Sequence, residues 1–174
     1  MAGAAIMSLT KKPPSAFVSA VLAVTMVATL AGCSPPSETL VLTQIDGASV
    51  QLTSLELNPF GTAGDTTVFE TQVERDGKPY GSFMGSIIKV GTTNAGWRKD
   101  REERMVTAVF DLPDGQISVL GVSYYYENDQ LLPSDQPVTR AIVGGTGKYV
   151  GVDGEVTTVR NGNGSYTHSL SIIR

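Results

Sequence analysis

The chain has almost none of the side chains from which disulfides and metal centres are built. Its 174 residues include one cysteine and one histidine. A single cysteine excludes a disulfide within the chain, and a single histidine excludes a multi-histidine metal site or a conventional zinc centre. We therefore expect no bound metal and no cofactor, and the cysteine needs another explanation.

Basic residues are also too few for a nucleic-acid-binding surface. Thirteen lysines and arginines stand against 17 aspartates and glutamates, for a net charge of −4 at pH 7. Without Lys11 and Lys12, which lie in the leader described next, 11 basic residues stand against 17 acidic residues, and the net charge is −6. Because nucleic acid is bound through clustered positive charge, we do not expect it as a partner.

The N-terminus has the pattern of a secretory signal. Lys11 and Lys12 precede an apolar run of 15 residues at 16–30. A transmembrane helix needs about 20 apolar residues, so this run is short for a permanent anchor. We interpret residues 1–32 as a signal peptide, and an uncleaved membrane span is the alternative.

The apolar run ends in Leu30-Ala31-Gly32-Cys33, which resembles the lipobox of bacterial lipoproteins. The resemblance implies that the thiol of Cys33 receives a diacylglycerol and that cleavage makes this cysteine the first residue. Two or more acyl chains anchor a protein stably to a bilayer. We therefore predict a lipidated tether at 33–38, a folded domain at 39–174, and a location outside the cytoplasm on the bacterial cell membrane.

The mature chain is predicted to be all-β. No stretch of 12 or more residues after Glu38 has a helical period, whereas β-branched and aromatic residues recur in short runs between Gly, Pro, Asn and Asp. The pattern favours a barrel or a sandwich, and the first two candidate strands can be one strand interrupted at Asp46-Gly47. The candidates are 39–45, 49–57, 66–75, 80–90, 102–112, 116–126, 138–143, 155–160 and 165–173.

The connections between candidate strands are of two kinds. Short turns with glycine supply the positive φ angles that hairpins need, which predicts antiparallel neighbours; they are Asp76-Gly77, Asp114-Gly115, Asp153-Gly154 and Asn161-Gly162-Asn163-Gly164. Longer connections at 58–65, 91–101 and 128–137 are predicted rim loops of a barrel mouth, where binding specificity is expected. The mixed charges of 98–104 indicate a solvated loop and strand start.

Candidate strand 102–112 is apolar on both faces. Val106, Ala108 and Phe110 alternate with Met105, Thr107 and Val109. In a closed barrel one of these faces lies inside, and the other needs cover from a partner or a lid. The pattern predicts a homo-oligomer.

The most distinctive stretch is glycine-rich, at 141–156. It lacks the first glycine and the Ser or Thr after lysine that a phosphate loop needs, and its glycines miss the dinucleotide-binding spacing. We interpret Gly144-Gly145-Thr146-Gly147, Gly151 and Gly154 as a wide structural turn between two strands, with backbone angles that other residues avoid.

This stretch is similar to the signature of the dirigent proteins, the allene oxide cyclases and their bacterial relatives, in which Gly-Gly-Thr-Gly follows an apolar strand. Blocks at 64–70, 76–81, Gly85 and 110–121 also resemble the family, in the same order. The resemblance implies an eight-stranded antiparallel β-barrel, often trimeric, with an apolar cavity. Plant members steer phenoxy radical coupling or cyclise an epoxide, and some bacterial relatives cyclise polyketide intermediates.

Five side chains are candidates for a role in ligand chemistry. Glu70, which matches an acidic residue of the family, and Arg140 would polarise a ligand if they face the lumen and would be ordinary surface if they face outward. Tyr124 and Tyr126 share a face and could stack on a conjugated ligand, or pack at a barrel end or subunit contact. His168 is predicted to be structural, since no nucleophile accompanies it.

Three functions follow from these observations. The first is an anchored lipoprotein whose barrel binds a small hydrophobic molecule. The second is a cyclase or isomerase that acts on a polyketide, lipid or phenolic intermediate by confining it, which demands shape more than a nucleophile. The third is an interaction protein with a filled barrel. A lumen packed solid by apolar side chains would exclude the first two functions, and an open cavity without a charged or tyrosyl wall residue would favour passive binding over catalysis.

Overall fold

Eight antiparallel strands close into a barrel, in which each strand pairs with its neighbours in the chain and the last pairs with the first. The computed structural model describes residues 37–45, 63–93, 101–127, 129, 131–134 and 136–174. This architecture confirms the predicted all-β, eight-stranded antiparallel barrel. The strands are β1 (Ser37–Gln44), β2 (Thr66–Arg75), β3 (Lys78–Thr93), β4 (Arg101–Leu112), β5 (Gly115–Tyr126), β6 (Val138–Gly145), β7 (Asp153–Arg160) and β8 (Tyr166–Ile173).

Some predictions concern other parts of the chain. The signal peptide at 1–32, the lipidation site Cys33 and the candidate strand at 49–57 lie outside the described residues. Where the structure is described, no helix is both long and apolar enough to cross a bilayer.

The turns at one end of the barrel are short because glycine and aspartate accept left-handed backbone angles. Between β2 and β3, Asp76 and Gly77 have φ values of 53° and 72°, as the tight hairpin turn requires at both central positions. The prediction of a turn at Asp153-Gly154 is wrong, because these residues open β7 and pair with Ile173 and Ile172 of β8. The connection from β6 instead contains a 3-10 helix, Gly147–Tyr149.

This end of the barrel is closed by a filled core. Tyr149 of the 3-10 helix is buried and packs into the core. Gly145 makes room for it, since a Cβ there would lie 2.7 Å from the Cβ of Tyr149. The other core residues at this end alternate along the strands and share an inward face; they include Leu40, Val73, Phe110, Leu112, Ile117, Val119, Ile142, Val156, Leu170 and Ile172.

The opposite end of the barrel carries the long connections. β1, β3, β5 and β7 end there, and β2, β4, β6 and β8 begin there, so the segments at 46–65, 94–100 and 127–137 all leave from this end. We call it the mouth. The side chains inside the mouth half are more polar than those of the filled half, and they include the buried Glu102, Ser123, Arg140, Thr158 and His168.

Candidate functional site

A cavity of about 140 Å³ occupies the mouth half of the lumen. Its apolar wall includes Phe69 and Phe83, and Phe83 stacks on the buried Phe110 at a ring distance of 4.2 Å. An apolar cavity of about 150 Å³ can hold benzene, so the space suits a ligand that inserts about one ring. The lining residues are Gln44, Thr67, Phe69, Phe83, Ile87, Arg104, Val106, Tyr125, Leu131, Leu132, Arg140, Thr158, Tyr166 and His168.

Arg140 places a positive charge inside this cavity. It lies between the inward-facing Val138 and Ile142 on β6 and is 6% exposed. Its Nε and Nη2 donate to the Ser123 hydroxyl at 3.1 and 2.6 Å, and Nη1 donates to the Thr158 hydroxyl at 3.1 Å. Gly121 on β5 gives the side chain room, since a Cβ there would lie 3.0 Å from the Cβ and Cγ of Arg140.

A chain of hydrogen bonds leads from Arg140 to His168 and fixes the tautomer of the imidazole. Thr158 Oγ1 accepts from Arg140, so its own proton is available for His168 Nδ1, which lies 2.9 Å away. Nδ1 then accepts, and the proton of the neutral ring is on Nε2, which donates to Gln44 Oε1 at 3.1 Å. Both ring nitrogens are therefore engaged by the protein.

His168 is uncharged at neutral pH. Complete burial, together with the nearby Arg140 charge, lowers its pKa from 6.5 to about 3. Its ring packs against Phe83 and Phe110 at centroid distances of 4.9 and 5.3 Å. A base of such low pKa that is hydrogen-bonded on both sides is poorly suited to take a proton from a ligand.

A second charged group lies beside the cavity, and the sequence did not predict it. Glu102 is 2% exposed and contacts Lys89 Nζ at 2.9 Å and the guanidinium of Arg104. Burial by itself raises the pKa of Glu102, but the hydrogen bonds from Lys89 and Arg104 outweigh it and hold that pKa below its usual value. The interpretation of 98–104 as solvated is thus wrong at Glu102, because its partner Lys89 is on the neighbouring strand.

Arg104 is held in place from three sides. It donates to Glu102, and its Nη2 donates to the backbone carbonyl of Asp129 at 2.6 Å. Its guanidinium also lies over the ring of Tyr125, 4.0 Å from the centroid. Burial raises the pKa of Tyr125, so its hydroxyl is neutral across the physiological range.

The other candidate residues lie outside the cavity. Glu70 is exposed on the outward face of β2. Tyr124 and Tyr126 are on the outward face of β5, because the buried Ser123 and Tyr125 take the inward positions. Tyr126 lies under the guanidinium of Arg101, 3.6 Å from its ring centroid. Of the tyrosine triplet, only the middle ring lines the cavity.

The glycine-rich stretch contributes to the closed end and not to the cavity. Gly144, Gly147, Gly151 and Gly154 have φ values of 147°, 59°, 77° and 127°. Thr146 precedes the 3-10 helix, and its hydroxyl accepts a hydrogen bond from the backbone N–H of Gln116. The stretch therefore shapes the end of the barrel farthest from the mouth.

The arrangement can bind and polarise a ligand, but it offers no evident general base. The described lining residues contain two arginines and no carboxylate, and His168 and Tyr125 are neutral. Nor do the described residues contain a group of three His, Cys, Asp or Glu side chains that could hold a metal ion. The chemistry that fits is confinement beside a fixed positive charge.

A scan against protein-family models finds no match, and a search of curated proteins finds none either. Solved structures do match. A pyocyanin demethylase is 22% identical with a TM-score of 0.58, covering 78% of this chain and 99% of its own. A pterocarpan synthase dirigent protein is 14% identical with a TM-score of 0.54, covering 79% of this chain and 83% of its own.

A third matching structure is a nonspecific heme-binding cyclase that catalyses a [4 + 2] cycloaddition in neoabyssomicin biosynthesis. It is 13% identical with a TM-score of 0.58, and the match covers 81% of this chain and 68% of that one. At these identities the likeness concerns the fold. The chain therefore has the allene oxide cyclase-like and dirigent-like barrel fold.

Proposed function

We propose that this protein is an exported, membrane-anchored barrel that binds a small hydrophobic molecule in its mouth cavity. The observation that supports this most is the division of the lumen: one half is filled by a core, and the other half holds an open cavity with an inward charge. A barrel that served only as a scaffold would gain stability by filling both halves. The cavity thus argues against the filled-barrel function.

The named activities of the similar structures support the same proposal. A demethylase of pyocyanin, a pterocarpan synthase and a cycloaddition catalyst all act on small organic molecules. Their chemistries differ, so the likeness supports small-molecule binding in general and no single reaction.

Filling the cavity with a larger side chain tests the binding function. The probe is 2-naphthamide, a neutral aromatic molecule, added to the full chain in nonionic detergent and measured by titration calorimetry. We expect saturable binding to the wild type and its loss in Thr67→Trp, which places an indole in the cavity. Glu70→Trp adds the same indole to the outward face of the same strand and should bind normally. Equal binding by both variants would place the ligand elsewhere and refute the proposal.

The alternative function is a cyclase or isomerase that works by confinement. It is favoured by Arg140, whose charge would stabilise an oxyanion that develops on a bound polyketide, lipid or phenolic intermediate. Tyr125 could assist as a hydrogen-bond donor, whereas Glu70 lies on the wrong face. The two functions are distinguished by recovering the bound molecule: a binding protein returns it with unchanged chromatographic retention, and an isomerase returns a product of the same mass.

The membrane anchor is the part of the proposal that comes from the sequence. We predict that cells fed a labelled fatty acid incorporate it into the wild type and not into Cys33→Ala. Equal labelling of the two would reject lipidation at this residue.

The outward face of β3 to β5 supports a homo-oligomer as a further part of the proposal. Ile88, Met105 and Val122 form a row across these strands, and Met105 and Val122 are both exposed in the single chain. Leu120 extends the patch along β5. Contiguous apolar patches of this kind are typical of interfaces, and a trimer is the assembly that the family resemblance implies.

A further inference from the structure

On the basis of the proposed binding function, the hydrogen bonds of Arg140 indicate the charge of the molecule in the cavity. A guanidinium has five N–H donors. Three hydrogen bonds connect it to the hydroxyl oxygens of Ser123 and Thr158, and both of these partners are neutral. Two N–H groups and the full positive charge are left for something else.

Among the residues that the structure describes, the side chains around Arg140 do not balance this charge. Glu102, a buried carboxylate beside the cavity, is ion-paired with both Lys89 and Arg104. Because the two cations outnumber the one carboxylate, this cluster has no excess negative charge that could balance Arg140. His168, the next group along the hydrogen-bond chain, is neutral. The described lining residues therefore contain more positive than negative charge, although the chain as a whole is acidic.

A buried guanidinium without an opposite charge is uncommon, because desolvation is costly unless an anion compensates for it. Binding an anion would supply that compensation, and oxyanions fit the guanidinium geometry well. The cavity also presents aromatic and aliphatic walls at Phe69, Phe83 and Val106. The site is thus polar at one point and apolar around it.

We propose that the ligand is a small conjugated or aromatic molecule that carries one oxyanion, such as a carboxylate, phenolate or enolate. Its oxyanion accepts hydrogen bonds from the two remaining N–H groups of Arg140. Its apolar body lies against Phe69, Phe83 and Val106. A neutral molecule of the same shape fills the same space but leaves the arginine without a counter-charge.

A matched pair of probes tests this directly. 2-Naphthoate and 2-naphthamide have the same ring system, and only the first is charged at pH 7.5. Affinity is measured by titration calorimetry on the full chain in nonionic detergent, and Thr67→Trp gives the background from the micelles. Because hydrogen bonds to charged groups are the strong ones, we expect the wild type to prefer naphthoate by roughly tenfold or more.

Variants of Arg140 show whether this preference comes from the guanidinium. Arg140→Met should abolish the preference while retaining naphthamide binding. Arg140→Lys keeps the charge but loses the planar fork, so the preference should shrink and persist. Arg75→Met removes one positive charge at the closed end and should leave the ratio unchanged. If Arg140→Met does not fold, the wild type and Arg140→Lys still provide the test.

The outcomes separate this inference from the function on which it rests. Equal affinity of the wild type for both probes would overturn the anionic ligand, since it would mean that the chain itself balances Arg140. Binding of neither probe would refute the proposed binding function. A naphthoate preference that survives in Arg140→Met would place the anion on another residue and would also overturn the inference.

Discussion

His168 should make the stability of the barrel depend on pH in a way that one substitution removes. The unfolded chain has an ordinary imidazole of pKa 6.5, and the folded protein has one of about 3. The unfolded state therefore binds more protons between these values. The contribution of the neutral His168 to the free energy of unfolding is therefore complete above pH 6.5 and is lost progressively as the pH falls toward 3.

The magnitude follows from the two pKa values. At pH 5 the unfolded imidazole is almost entirely protonated and the folded one is not, which costs about 2 kcal/mol of folding free energy relative to pH 7.5. Carboxylates also titrate below pH 5, but the single histidine makes its own share separable. In His168→Gln, which keeps polar atoms beside Thr158 and Gln44, that share disappears.

Urea unfolding of the full chain, followed by far-ultraviolet circular dichroism at pH 7.5 and pH 5, measures the effect. The wild type should lose about 2 kcal/mol more than His168→Gln between these pH values. A nuclear magnetic resonance titration of the one imidazole should show no protonation down to about pH 4. An equal loss in both proteins, or an imidazole midpoint near 6.5, would show that the ring is accessible to water and would refute the buried, neutral state assigned to it.

Two further predictions concern the backbone and the outer surface. Gly154→Ala should destabilise the barrel by about 1–3 kcal/mol or more, because φ at this position is 127° and a Cβ would lie 2.0 Å from the Ser171 carbonyl oxygen. Gly162→Ala is the control, since its Cβ would meet no atom within 4 Å and should change the urea midpoint little. Similar urea midpoints for the two variants would contradict the prediction. Val122→Lys should lower the molar mass measured by light scattering from that of an oligomer to that of one barrel. Ser171→Lys, on the exposed face of β8, should leave the molar mass unchanged. A wild type with the molar mass of a single barrel would reject the oligomer.

Much of the barrel could be predicted from local pattern. Alternation along the strands, glycine at tight turns and the lengths of the connections depend on residues close in sequence, and they were sufficient for the all-β class and for the approximate bounds of the described strands. The number of eight strands and the closed barrel were implied by the family resemblance. The turn at Asp153-Gly154 was placed wrongly because Gly154 has a turn-like φ inside a strand, where it allows close approach of β8.

The site was harder to predict because its lining reverses the usual rule of apolar residues inside. On β5, alternation shows that Tyr125 is on the opposite face of the strand from Tyr124 and Tyr126, but it does not show which of the two faces is inward. The inward face in fact carries Gly121 and Ser123, which accommodate the Arg140 side chain. The burial of Glu102 could not be predicted for a related reason, since it depends on the ion pair with Lys89, which is on another strand.

The division of the lumen into a filled half and an open half separates fold from specificity along the barrel axis. A substitution at Thr67 alters the shape of the cavity wall, while the core around Phe110 and Tyr149, to which Thr67 does not belong, is left intact. A protein needs to remain only above a stability threshold to keep evolving. One such barrel can therefore acquire a new ligand through a few substitutions near its mouth, which is consistent with the varied chemistries of the similar structures.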